Sequence, residues 1–153
     1  MNNNLIQYIY GIADNSLILG QRLGELCGHG PSIETDIALT NISLDLFGQT
    51  RSYFQYVAKL QGGDANEDTV AFLRLEREYK NILLVEQPNT DFGYSIARQF
   101  LFDVFHLALL EELQNSKDEM LAAIAKKSIK EVLYHTRFSS DWIKRLGDGT
   151  EES

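Results

Sequence analysis

The chain has 153 residues, of which 44% are hydrophobic and 24% are charged, and its formal net charge is −8. A chain of this length can bury the core of one domain, and the composition excludes a disordered protein, so we expect a single domain over 1–153. The negative charge argues against nucleic acids and anionic membranes as partners. The single cysteine, Cys27, excludes an internal disulfide framework, and we expect it to be a small buried hydrophobe. Nothing resembles a signal peptide or a membrane span, so we expect a cytoplasmic protein.

The first half of the chain predicts two long helices. Apolar residues recur at helical spacing from about Leu5 to Cys27, with a second apolar side that indicates a largely buried helix. The glycines and proline of 28–31 end this helix. Ser32 is the predicted N-cap of a second helix, which extends to about Leu60.

The segment 67–90 is less regular. A short helix is expected around Phe72, Leu75 and Tyr79, with Arg74 on a solvated face. The apolar run 82–85 fits a strand or a buried helical turn, and we favour the turn.

The second half of the chain predicts two more helices. Asp91 is expected to cap the third, which reaches about Gln114 with Ile96 and Val104 on one apolar side. The fourth helix is expected from near Asp118 to Leu146. Two hairpins joined by a long crossover over 61–90 have ferritin-like connectivity. The predicted fold is therefore all-α, a ferritin-like antiparallel four-helix bundle with its long crossover between the second and third helices.

Four acidic residues are spaced like the carboxylates of a di-iron bundle. Asp14 and Asp45 are 31 residues apart and Asp103 and Glu131 are 28 apart, which in each case fits one helix, a turn and half of the next helix. In such bundles two helices each give one carboxylate, and the other two each give a Glu-x-x-His pair.

The two histidines of that pattern are missing. The pair that starts at Asp45 ends at Gly48, and the pair that starts at Glu131 ends at Tyr134, with His135 one residue late. We therefore interpret six positions as a vestigial di-iron-like site: Asp14, Asp45, Gly48, Asp103, Glu131 and Tyr134.

The same carboxylates can also be explained without a metal. A hydrogen bond or ion pair to His106 or to a lysine is favoured over metal for Asp103, and a buried polar network is favoured for Asp45. Asp14 is as well explained by a solvated patch. Lys127, one turn before Glu131, could place an ammonium group where a cation would otherwise lie.

Five phrases distributed over the whole chain resemble a known family. They resemble the C subunits of the bacterial phenylacetate-CoA oxygenases, also called ring 1,2-phenylacetyl-CoA epoxidases. The phrases are LGQRLGE (19–25), DIAL (36–39), LVEQPN (84–89), IARQFLFD (96–103) and RLGDGTEES (145–153). Family members continue past the last phrase, so the chain is expected to be a truncated form or a fragment.

The resemblance implies a ferritin-like subunit that is not catalytic by itself. It also implies a homologous catalytic oxygenase subunit as partner, which holds the di-iron centre and epoxidises the CoA-bound ring with O2, while a reductase supplies electrons. No cofactor or metal is expected in this chain, and no nucleic acid or membrane is expected as a partner. Homodimerisation is a further option.

Two other functions stay open from the sequence. One is an active di-metal carboxylate oxidase or oxygenase that uses the four carboxylates with the displaced His106 or His135. The other is a metal-free helical protein-binding module.

Overall fold

Two long helical hairpins account for most of the computed structural model, which describes residues 3–153. The connections 26–32 and 114–118 are short, so the helices of each hairpin run antiparallel, and the second helix of one hairpin also packs on the second helix of the other. The predicted all-α, ferritin-like bundle is confirmed, and no strand occurs within the described part of the chain. The helices are α1 (Asn3–Glu25), α2 (Ile33–Gln61), α3 (Glu67–Phe72), α4 (Leu83–Glu86), α5 (Phe92–Leu113) and α6 (Glu119–Gly147), with a 3-10 turn at Glu76–Glu78.

The predicted starts of the second, third and fourth long helices are confirmed, and each of these three has a local side-chain cap. The Ser32 hydroxyl accepts a hydrogen bond from the Thr35 amide at 3.2 Å. Asp91 Oδ1 accepts one from the Tyr94 amide at 2.8 Å, and Asp118 Oδ1 accepts one from the α6 backbone at 2.9 Å. Each cap satisfies an amide that the helix itself cannot, a contribution of about 1 kcal/mol.

The crossover differs in part from the expectation. The favoured helical turn at 82–85 is confirmed as α4. The short helix spans Glu67–Phe72, so Leu75 and Tyr79 lie after its end, and Phe72 and Leu75 are 78% and 67% exposed. The expectation that Arg74 lies on a solvated face is wrong, because Arg74 turns inward, as described below.

Two arginines fix the end of the crossover to the bundle. Arg22 Nη2 donates to the Glu86 carbonyl at 2.7 Å, and Asn89 donates to the Arg22 carbonyl at 2.7 Å. Arg98, which is buried, donates from Nη1 to the Gln87 carbonyl at 2.7 Å and to Asn89 Oδ1 at 2.8 Å. Burial, then the charge of Arg22, lowers the pKa of Arg98 to about 10. The phrases 19–25, 84–89 and 96–103 thus meet at one junction.

The interior has two apolar cores with a belt of polar side chains between them. On α1 the first core includes Ile9 and Ala13 and the second includes Leu19 and Leu23. Between these residues every helix of the two hairpins contributes buried polar groups, which we call the polar layer. The polar layer consists of Asp14, Asn15, Ser16, Gln49, Thr50, Gln99, Asp103, His106, His135 and Ser139.

α5 turns polar as well as apolar side chains toward the interior. Its buried positions include Gln99, Asp103 and His106, which belong to the polar layer, together with Ile96 and Phe102. Several of its outward positions are apolar, and we call the exposed residues Tyr94, Leu101, Val104 and Phe105 the outer stripe. The prediction that Val104 shares a buried side with Ile96 is wrong for Val104, since the periodicity alone did not tell the two faces apart.

Cys27 is exposed, which contradicts the expectation that it is buried. α1 ends at Glu25, so Cys27 lies in the turn that follows it rather than on the inner face of the helix. His29 in the same turn is also exposed.

Candidate functional site: a polar layer with partnered carboxylates

Asp14 is held by a cation that comes from the crossover. It is fully buried, and Arg74 donates to it from Nη1 at 2.9 Å and from Nη2 at 2.6 Å. The Lys80 amide donates a third hydrogen bond, at 2.8 Å. The guanidinium also lies over the rings of Tyr10 and Tyr79, at 4.1 and 4.4 Å from their centroids. Both carboxylate oxygens of Asp14 are therefore used inside the protein.

Asp45 and Glu131 meet across the contact between α2 and α6. His135 Nε2 donates to Asp45 Oδ2 at 2.9 Å, and the Gln49 amide donates to Glu131 Oε1 at 3.4 Å. Burial, and then the hydrogen bond and charge of Asp45, raise the pKa of Glu131 to about 7. Burial and the nearby carboxylate of Asp45 thus both favour the neutral form of Glu131.

Asp103 has its own partners on α5 and α6. Gln99 Nε2 donates to Oδ1 at 2.6 Å and the Ser139 hydroxyl donates to Oδ2 at 2.8 Å. Burial raises the pKa of Asp103 to about 7, although both donors favour the charged form. The sequence favoured an internal hydrogen bond at Asp103, and the structure has two. Their donors are Gln99 and Ser139, however, rather than His106 or a lysine.

His106 and His135 are the two buried imidazoles of the polar layer. Burial, with the neighbouring His135, lowers the pKa of His106 to about 3. Burial also lowers the pKa of His135, against the opposing effect of Asp45. Both rings are therefore neutral near pH 7, and the ring of His106 packs 5.0 Å from that of Phe102 between centroids.

The other two positions of the vestigial site, Gly48 and Tyr134, are exposed. Gly48 is exposed and lines a cleft with Asp45, Gln49 and Glu131. Tyr134 is 45% exposed. Lys127 lines the same cleft, but it is exposed and takes part in none of the ion pairs among residues 3–153. Its charge has only a minor effect on Glu131.

The six positions do not fit a di-iron centre. Asp14 is bound to Arg74, Gly48 has no donor atom, and the Tyr134 side chain faces partly to solvent. Within residues 3–153 no three side chains of histidine, cysteine, aspartate or glutamate are grouped as a metal site requires. The structure brings together Asp45 and Glu131 of the four carboxylates, with His135 beside them, and it places Asp14 with a different partner.

The sequence interpretation missed three side chains that are partners of the buried carboxylates. Gln99 and Ser139 each lie one helical turn from a residue already considered, Asp103 and His135, and this spacing was available in the sequence. Arg74 gave no such signal, because 60 residues separate it from Asp14.

The comparisons with known proteins agree with the resemblance of the five phrases. A family model described as phenylacetic acid catabolic protein matches residues 1–153. The chain is similar to the C subunit of the 1,2-phenylacetyl-CoA epoxidase of Escherichia coli strain K12, with 53% identity over 151 residues. These residues are 99% of this chain and 60% of that relative, so the chain spans about 60% of the relative's length. In residues 3–153 no helix has both the length and the apolar character needed to span a membrane.

Proposed function

This chain belongs to the phenylacetic acid catabolic protein family, and from that membership we propose that it is a non-catalytic structural subunit of a multicomponent di-iron monooxygenase. The reaction of the complex would be epoxidation of the ring of phenylacetyl-CoA in aerobic phenylacetate catabolism, in the cytoplasm. The name of the E. coli relative, the C subunit of 1,2-phenylacetyl-CoA epoxidase, supports this substrate. Because the chain spans about 60% of that relative, the activity, substrate and partners of the whole protein are part of the proposal.

The pairing of Asp14 with Arg74 is the observation that supports the non-catalytic role. A metal bound at Asp14 would have to displace a bidentate guanidinium whose side chain is only 10% exposed. The displaced arginine would then be a buried charge without its partner, which costs several kcal/mol. Asp14, the first carboxylate of the vestigial site in the sequence, is thus stabilised without a metal.

The di-iron centre belongs, in this proposal, to a homologous catalytic subunit, which this chain supports by direct contact. The outer stripe of α5 is suited to that contact, since Leu101 is 57% exposed and its apolar neighbours follow at helical spacing. An exposed apolar stripe on a helix is explained if another protein covers it. In the pair, this chain contributes surface and rigidity, and its partner contributes the metal and the reacting groups.

Co-expression with the catalytic subunit of the same source tests the proposal. We expect the two chains to copurify, turnover of phenylacetyl-CoA with O2 and reductase to need the catalytic subunit, and this chain alone to show no turnover. The double variant Leu101→Glu, Phe105→Glu should lose the partner, because it places two charges in the outer stripe. Phe72→Glu, Leu73→Glu is the matched control, since both residues are more exposed but lie on the crossover.

Two results would overturn the proposal. One is stoichiometric iron in this chain together with turnover in the absence of any other oxygenase subunit. The other is that the outer-stripe variant copurifies with the catalytic subunit as strongly as the parent and the crossover control do.

A further inference from the structure

A second open surface lies between α1 and the crossover, and it shares no residue with the outer stripe. It is a groove of about 530 Å³. Its apolar lining residues, Leu17, Ile18 and Tyr79, are half-buried, and we call them the floor. Asn81 and Gln21 line it as well. The groove is large enough to receive a large side chain and part of the backbone that carries it.

The rim of the groove is acidic. Glu25, Glu76 and Glu86 line it, and Arg22 is its only basic lining residue. The Arg22 guanidinium is already engaged, because it donates to the Glu86 carbonyl at 2.7 Å and pairs with Glu25 at 3.4 Å. Glu76 takes part in no ion pair of residues 3–153. Three carboxylates against one guanidinium leave the rim with an excess of negative charge.

Two exposed apolar side chains lie close in sequence to the acidic rim. Leu75 directly precedes Glu76, and Leu83, which is 73% exposed, lies one helical turn before Glu86 on α4. The segments that line the groove thus carry apolar and acidic side chains together. This combination is complementary to a segment in which large apolar residues alternate with lysine or arginine.

We propose that this groove is a docking site for a basic, partly apolar segment of a partner protein. A large apolar side chain of the segment lies on the floor, and the flanking basic side chains pair with the three rim glutamates. A nucleic acid or an anionic lipid is repelled by the same rim. The site does not use the outer stripe, so it stands independently of the proposed contact with the catalytic subunit.

Binding of a labelled synthetic peptide of alternating leucine and lysine, followed by fluorescence anisotropy, tests this inference on the whole chain. Replacing Glu25, Glu76 and Glu86 by glutamine removes three charges and keeps the shape of each side chain. We expect this triple variant to bind the peptide about tenfold more weakly than the parent, since each partly exposed ion pair contributes a few tenths to one kcal/mol. Binding to the parent should also weaken as salt is added.

The matched control removes the same charge elsewhere. Glu111, Glu112 and Glu151 are exposed and lie away from the groove residues, and their replacement by glutamine should leave the affinity within about twofold of the parent. Equal losses in the two triple variants would mean that the peptide responds to net charge alone, and the inference would be wrong. No binding to the parent, or equal binding of a peptide with serine in place of lysine, would also overturn it.

Discussion

Arg74 and Asp14 form a bidentate ion pair in the interior of the bundle, although one belongs to the crossover and the other to the middle of α1. The carboxylate is fully buried, and the desolvation that lowers the pKa of Arg74 is outweighed by the hydrogen bond and charge of Asp14. This pair attaches the irregular segment between the hairpins to the bundle. The guanidinium of Arg74 also neutralises Asp14, which is one of the four carboxylates that the sequence spacing suggested as metal ligands.

Removing the cation from this pair should be strongly destabilising. We expect Arg74→Met to lower the free energy of unfolding by about 3–5 kcal/mol, because it leaves the Asp14 carboxylate buried without its charge partner. Urea denaturation followed by circular dichroism measures the loss. Arg51→Met is the control, since Arg51 is 68% exposed in its pair with Glu67 and should cost less than about 1 kcal/mol. Similar losses in the two variants would contradict the role given to Arg74.

The pH dependence of stability should have a maximum slightly on the acid side of neutrality. The pKa values of Glu131 and Asp103 are raised to about 7 from 4.5 and 3.8, so their stabilising contribution is complete below those ordinary values and is lost as the pH rises through 7. The pKa of His106 is lowered to about 3 from 6.5, and that of His135 is lowered too. The histidine contribution is therefore present above pH 6.5 and lost as the pH falls.

Above pH 6.5 both histidines are neutral in the folded chain and more than half neutral in the unfolded chain, so the titration of the two carboxyl groups outweighs that of the histidines. We expect the free energy of unfolding to fall between pH 6.5 and about pH 8, measured by urea denaturation at each pH. The variant Glu131→Gln, Asp103→Asn should flatten this fall and keep the loss on the acid side. Stability that rises over the same interval in the parent would show that these carboxyl groups are ionised at lower pH.

The hydroxyl of Ser139 should matter more when Asp103 is charged. Ser139→Ala removes the donor to Oδ2, and a charged buried acceptor that loses a donor costs about 1–3 kcal/mol. We expect the loss in the free energy of unfolding to be larger at about pH 8 than at about pH 6, since Asp103 has a pKa of about 7. Ser140→Ala is the control, because its hydroxyl donates to the Arg137 carbonyl within its own helix. A loss at Ser139 that does not depend on pH would exclude Asp103 as the relevant partner.

Adding an imidazole at Gly48 should create metal affinity beside Asp45 and Glu131. A Cβ atom at Gly48 meets nothing within 4 Å, so the position accepts a larger residue. We expect Gly48→His to bind Mn(II) or Fe(II) at least about tenfold more tightly than the parent, measured by titration calorimetry, and Tyr134→His with Lys127→Ala to extend the gain.

Gly48→Ala is the matched control for this experiment. It should leave metal binding at the level of the parent and raise helix stability by about 0.5–1 kcal/mol, because glycine is unfavourable in a helix interior. If the folded Gly48→His chain binds no better than the alanine variant, the vestigial-site interpretation of Asp45 and Glu131 is wrong.

The helices and their order could be predicted because the signals that define them act over a few residues. The hydroxyl of Ser32 accepts a hydrogen bond from the amide three residues later, and the carboxylates of Asp91 and Asp118 do the same. Each cap can therefore be recognised within four consecutive residues of the sequence. Because the connections are short, the two long helices of each hairpin run antiparallel. The five phrases indicated the family for a related reason, because each is a run of consecutive residues that can be recognised without the structure.

The partners of the buried charges were decided by the tertiary structure alone. Asp14 finds Arg74 across 60 residues, and no local spacing distinguishes that arginine from the exposed Arg77 beside it. In the same way, α5 has apolar residues on more than one side, and only its packing against the bundle shows that the side with Asp103 faces inward. Helix formation depends on hydrogen bonds between near neighbours, whereas the direction of a face and the partner of a charge depend on which distant segment packs against it.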